Sequence, residues 1–129
     1  MIDRSSRTAP QESEQADAVT DIPRIIVFDP DGYRIDDEYR LLLEAHAGRL
    51  RADPAARVRI EGHADGQGSR AYQQALADKR ADVVRKALLA LGAAPYQLHA
   101  VGHVEPRTRA GPPSVAIASQ RRRVVLVDE

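Results

Sequence analysis

Residues 61–92 read EGHADGQGSRAYQQALADKRADVVRKALLALG, and this stretch decides the fold. It begins inside a segment, residues 57–62 (RVRIEG), that alternates polar and apolar side chains, the pattern of a half-buried strand with Val58 and Ile60 inward. HADGQGS follows as a glycine-rich loop in which Gly66 and Gly68 permit close backbone approach, and Ser69 is a ready helix cap. Residues 70–91 carry a helical pattern, and Gly92 is the residue type that most readily closes a helix. Strand, tight loop and long helix in that order open an α/β unit.

Within the helix, Tyr72, Leu76, Val83, Ala87 and Leu91 recur at steps of four or seven and predict the apolar stripe. Arg80 interrupts it. A charge on a buried face must reach solvent, pair with a carboxylate or meet a ligand, because burying it alone is costly. A structural ion pair is one reading of Arg80, and a ligand socket is the other. Asp65, in the preceding loop, is the candidate partner; its plain reading is an Asx-turn or cap. Together, an anion and a cation facing one cleft would hold a zwitterion, the carboxylate accepting from an ammonium and the guanidinium gripping a carboxylate.

Outward from this stretch, residues 22–28 (IPRIIVF) predict a strand ended by the turn sequence Asp29-Pro30-Asp31-Gly32. A helix is expected over residues 37–52, with Asp36 and Asp37 at its start and Asp53-Pro54 stopping it. Tyr39, Leu42, Leu43, His46 and Leu50 mark its buried stripe, His46 as a core or boundary histidine. Downstream, residues 97–101 (QLHAV) read as a strand, 102–119 mostly as loop and 122–127 (RRVVLV) as a closing strand. The expected architecture is a two-layer α/β domain, β-α-β-α-β-β, with both helices on one face of a mixed sheet. Residues 1–21 are expected to be a separate leader or tether, rich in Ser, Gln, Glu and Asp and without the apolar core of a signal peptide. Residues 22–129 form the domain.

Composition narrows the function. The 129 residues suit one domain, and Lys plus Arg balances Asp plus Glu at 19 each, against the basic excess of a nucleic-acid binder. The basic runs at residues 107–109 and 121–123 carry no interleaved aromatics and read as solvated edges. Without cysteine there is no disulfide, thiolate metal site or cysteine nucleophile, and no apolar run is long enough to span a membrane as a helix. His63 and Asp65 could mimic two metal ligands on a strand, but the expectation is that no metal or other cofactor binds. His99 and His103 are separated by Gly102 on a strand and do not share a helical face. No nucleophile elbow or phosphate loop accompanies His63 and Asp65, so no enzyme is expected.

The stretch resembles the signature of OmpA-like peptidoglycan-binding domains, and most of all that of the peptidoglycan-associated lipoproteins. The matching positions are Gly62, His63, Ala64, Asp65, Gly68, Tyr72, Gln73, Leu76, Arg80 and Ala81, with Asp65 and Arg80 at the family's interval of 15 residues. The likeness runs through residues 24–107 and again, more weakly, 122–127. It implies non-covalent binding of the diaminopimelate side chain of the peptidoglycan stem peptide, with Asp65 and Arg80 in the main polar roles. It further implies Asp31 on a loop offering backbone amides, Leu76 lining the pocket and Gln73 beside it. Pro30, Gln73 and Arg121 stand where the family has Phe, Asn and Asn. A periplasmic, outer-membrane-associated place and a Tol-type β-propeller partner follow from the same resemblance. The alternative is an envelope interaction module that keeps the fold with weakened or lost wall binding. Losing Asp65 or Arg80 is expected to weaken binding while leaving the domain folded.

Overall fold

The computed structural model describes residues 22–65, 68–104 and 121–129. Four strands, β1 (Ile25–Val27), β2 (Val58–Ala64), β3 (Leu98–Val104) and β4 (Arg123–Asp128), form one sheet in the order β1-β4-β2-β3. β2 and β3 run parallel, and β4 is antiparallel to both β1 and β2, so the sheet is mixed as expected. A 3-10 turn (Asp37–Tyr39) leads into α1 (Arg40–Ala52), and α2 (Arg70–Ala90) connects β2 to β3 by way of a second 3-10 turn (Pro95–Gln97). The expected tether over residues 1–21 and most of the proline-containing loop lie outside the described residues.

Local chemistry explains the boundaries. The first strand is shorter than residues 22–28, but its ladder continues through Leu126 N–H to the Arg24 carbonyl and Phe28 N–H to the Arg122 carbonyl. Asp36 accepts from the Glu38 amide at the first 3-10 turn, and the Ser69 hydroxyl accepts from the Tyr72 amide at the head of α2. At its far end, Ala93 N–H reaches the Leu88 carbonyl and Gly92 N–H the Leu89 carbonyl, with Gly92 at φ 107°, a Schellman closure. Gly102, His103 and Val104, expected in the loop, instead extend β3, because each pairs in register with Gly62, His63 and Ala64.

Alternate strand residues build the core: Ile26, Val58, Ile60, Leu98, Val124 and Leu126 meet Leu42, Leu43, Ala47 and Leu50 of α1 and Ala81, Val84 and Leu88 of α2. His46 is buried as expected; its Nε2–H donates to the Pro23 carbonyl at 2.9 Å while Nδ1 accepts from Arg49. Burial lowers its pKa, keeping the ring neutral.

The stripe predicted on α2 is out of phase. Its buried face is Gln73, Leu76, Ala77, Arg80, Ala81, Val84 and Leu88, while Tyr72 is exposed and Val83, Ala87 and Leu91 are only half-buried. The reason lies in the sheet. Gly62 and Gly102 are register partners, and a Cβ on Gly62 would strike the Ala77 carbonyl and the Ala81 amide, one on Gly102 the Asp78 backbone. α2 therefore seats its smallest residues, Ala77 and Ala81, where the backbones come closest, and the bulkier apolar residues flank that seam.

Candidate functional site

Phe28 ends the first sheet segment, and the chain turns sharply at residues 29–32. Gly32 N–H donates to the Asp29 carbonyl at 2.9 Å; Pro30 holds the second position and Asp31, at φ 59°, the third. Proline followed by a positive φ is the pairing of a type II turn. Pro30, a departure from the family pattern, thus fits its place well, and Asp31 bears the cost of a left-handed conformation. Its carboxylate accepts from the Tyr72 hydroxyl at 3.1 Å, a bond that raises the pKa of that phenol.

Arg80 lies behind this turn, fully buried. It neither reaches solvent nor closes the simplest ion pair. Its Nε donates to the Gly32 carbonyl at 2.7 Å, one terminal nitrogen to His63 at 2.9 Å and the other to Asp29 at 3.1 Å. The guanidinium carbon stands 5.5 Å from the centre of the Phe28 ring. One cation thereby ties the 29–32 turn to the end of β2. Burial lowers its pKa, and Asp65 is the foremost opposing charge, ahead of Asp31. Loss of Arg80 would leave three carbonyls without their donor, a cost to stability that is set against the expectation that the domain stays folded.

Asp65, half-buried, follows β2 directly, and Gly68 of the same loop takes φ 84°. Gln73, one turn into α2, is 2% exposed, and its side-chain oxygen has no hydrogen-bond partner among the described residues. A buried acceptor left this way is costly unless something donates to it. Leu76 packs with Ala64 and Ala77 in a small cluster of its own. Asp31 and Leu76 both line an open cleft of about 260 Å³, together with Tyr33, Tyr72, Ala75 and Lys79.

Tyr33 and Lys79 join the site here, and Tyr72, which its periodicity predicts to be buried, lies at the surface. The signal was present: Tyr72, Ala75, Leu76 and Lys79 fall at the three- and four-residue steps of one helical face. His63 and His103 stack at 5.4 Å, with Glu61 3.9 Å from His63 Nε2. Among the described residues no three His, Asp or Glu side chains gather as a metal would require.

Comparison with known proteins agrees with the geometry. Residues 27–122 match the OmpA family. The chain is 38% identical over 101 residues to the peptidoglycan-associated lipoprotein of Pasteurella multocida, covering 78% of this chain and 67% of that protein. It is equally similar, 38% over 101 residues, to the peptidoglycan-associated lipoprotein of Haemophilus influenzae, of whose length the match spans 66%. Among solved structures, the peptidoglycan-associated lipoprotein from Burkholderia pseudomallei is similar at a TM-score of 0.77 and 36% identity, over 83% of this chain and 91% of that one.

Proposed function

The chain belongs to the OmpA family, and from that premise we propose that it anchors to peptidoglycan by holding the diaminopimelate side chain of a stem peptide. No bond is made or broken in this reading. The observation that carries it is the buried Arg80, held behind the 29–32 turn with Asp65 as its foremost counter-charge, in a chain 38% identical to peptidoglycan-associated lipoproteins.

Diaminopimelate ends in an ammonium and a carboxylate on one carbon. Asp65, which like Asp31 acts electrostatically on both Arg80 and Tyr72, is the acceptor for the ammonium. A guanidinium has five N–H groups, and three of those on Arg80 are engaged, one from each nitrogen. One N–H on each terminal nitrogen is left to donate to a carboxylate. The unpaired oxygen of Gln73 supplies one more acceptor, and Leu76 the apolar contact along the ligand's methylene chain. A place in the envelope beside the outer membrane and a Tol-type β-propeller partner extend the proposal by family resemblance.

The test is co-sedimentation with purified diaminopimelate-containing sacculi. The wild type should pellet with them, and Asp65→Asn should stay in the supernatant. A wild type that does not pellet would leave the domain an interaction module without wall binding.

A further inference from the structure

We propose that the cleft between Tyr33 and Tyr72 is a second recognition subsite, which takes a carboxylate-bearing peptide segment adjoining the diamino acid. The inference rests on the wall-binding reading and adds the groups that meet the ligand beyond Asp65 and Arg80. Tyr33 and Tyr72, each 47% exposed, both line this cleft. Between them, Ala75 and Leu76 offer an apolar floor. Each ring holds a charge of opposite sign. The Tyr72 hydroxyl donates to Asp31, whereas the Lys79 ammonium lies 5.3 Å from the centre of the Tyr33 ring.

Lys79 also differs from its neighbours on α2. Arg85 and Lys86 both pair with Asp82, but Lys79 makes no ion pair among the described residues. A lysine held over a ring at the edge of a cleft, without a carboxylate of its own, is set to receive one from a ligand. Asp31 at the same cleft disfavours a second anion near Tyr72, so the polarity is directional: ammonium toward Asp31, carboxylate toward Lys79. Leu76 and Asp31 belong to both the cleft and the proposed diaminopimelate site, which makes the two continuous. An extended acidic peptide fits this arrangement.

The experiment titrates the full chain with three ligands: free diaminopimelate, a stem peptide with an acidic residue next to diaminopimelate, and that peptide with the acidic carboxyl amidated. The wild type should bind the acidic peptide about three- to fivefold more tightly than the amidated one, the scale of an exposed ion pair. In Lys79→Gln that preference should vanish while affinity for free diaminopimelate is unchanged. Tyr33→Ala should weaken both peptides alike, by roughly fivefold, again without touching free diaminopimelate. An acid preference that survives in Lys79→Gln, or is absent from the wild type, overturns the subsite while leaving the diaminopimelate site standing. Failure of all three ligands to bind the wild type overturns both.

Discussion

The two halves of α2 are built on different principles. From Ala81 onward the buried residues are apolar, Ala81, Val84 and Leu88, and they belong to the main core with α1 and the four strands β1 to β4. Before it, two of the four buried residues are polar, Gln73 and Arg80, and Leu76 and Ala77 sit in a separate small cluster with Ala64. One helix thus joins a half that holds the domain together to a half that holds polar groups in position. The close backbone seam at Gly62 and Gly102 lies between them, so the polar half is located by the packed half. Polar groups kept in a buried setting at a cost to stability are what a binding site requires.

The largest expected effect breaks that division. Arg80, in the polar half, also holds structure together, its bonds to Gly32, His63 and Asp29 tying the 29–32 turn to the end of β2. Arg80→Ala should cost about 3 kcal/mol or more, because three carbonyls each lose a charged donor at roughly 1–3 kcal/mol, read from the urea midpoint. Arg80→Lys should retain part of this, since an ammonium cannot reproduce the planar fork.

A matched pair of truncations sharpens the contrast. Leu88→Ala, in the main core, should cost about 3 kcal/mol in unfolding free energy and leave ligand affinity unchanged. Leu76→Ala, at the edge of the cleft, should cost about 2 kcal/mol, the low end for a buried leucine because its small cluster has fewer partners to lose, yet weaken ligand binding. Equal effects in both assays would erase the difference between the halves.

The smallest effect is a pH dependence on the packed side. Burial lowers the His46 pKa, so the unfolded chain takes up a proton that the folded chain refuses. Stability is therefore full above the ordinary imidazole value of about 6.5 and declines as pH falls below it. His46→Gln should flatten the stability profile between about pH 5 and 7, measured as thermal midpoint against pH.

Much of the fold was legible because its signals are local. Ser69, Gly92 and the Asp53-Pro54 pair bound the helices where their side-chain and backbone chemistry puts them, and Val58 and Ile60 alternate as strand residues do. The phase of α2 was not legible, because it is set by the depth of two glycines 40 residues apart in sequence, which only register pairing brings together. The end of β3 was missed for the same reason. At the site, Arg80 stood out as a charge on an apolar helix, but its carbonyl acceptors did not: every residue has a carbonyl, and which ones converge is a property of the folded chain.

On the proposed function, the amino-terminal half of α2 and its loop recognise a zwitterionic head group while the other half stabilises. Calorimetric titration of a diaminopimelate-containing stem peptide into wild type, Asp65→Asn and Leu88→Val tests it most directly, with a lysine-containing peptide as control. Charge-assisted bonds contribute about 1.5–3 kcal/mol, so Asp65→Asn should lose roughly one to two decades of affinity with a near wild-type unfolding midpoint. Leu88→Val should lower the midpoint and bind as wild type does. Asp65→Asn binding as tightly as wild type, or the wild type taking the lysine peptide equally well, would contradict the account.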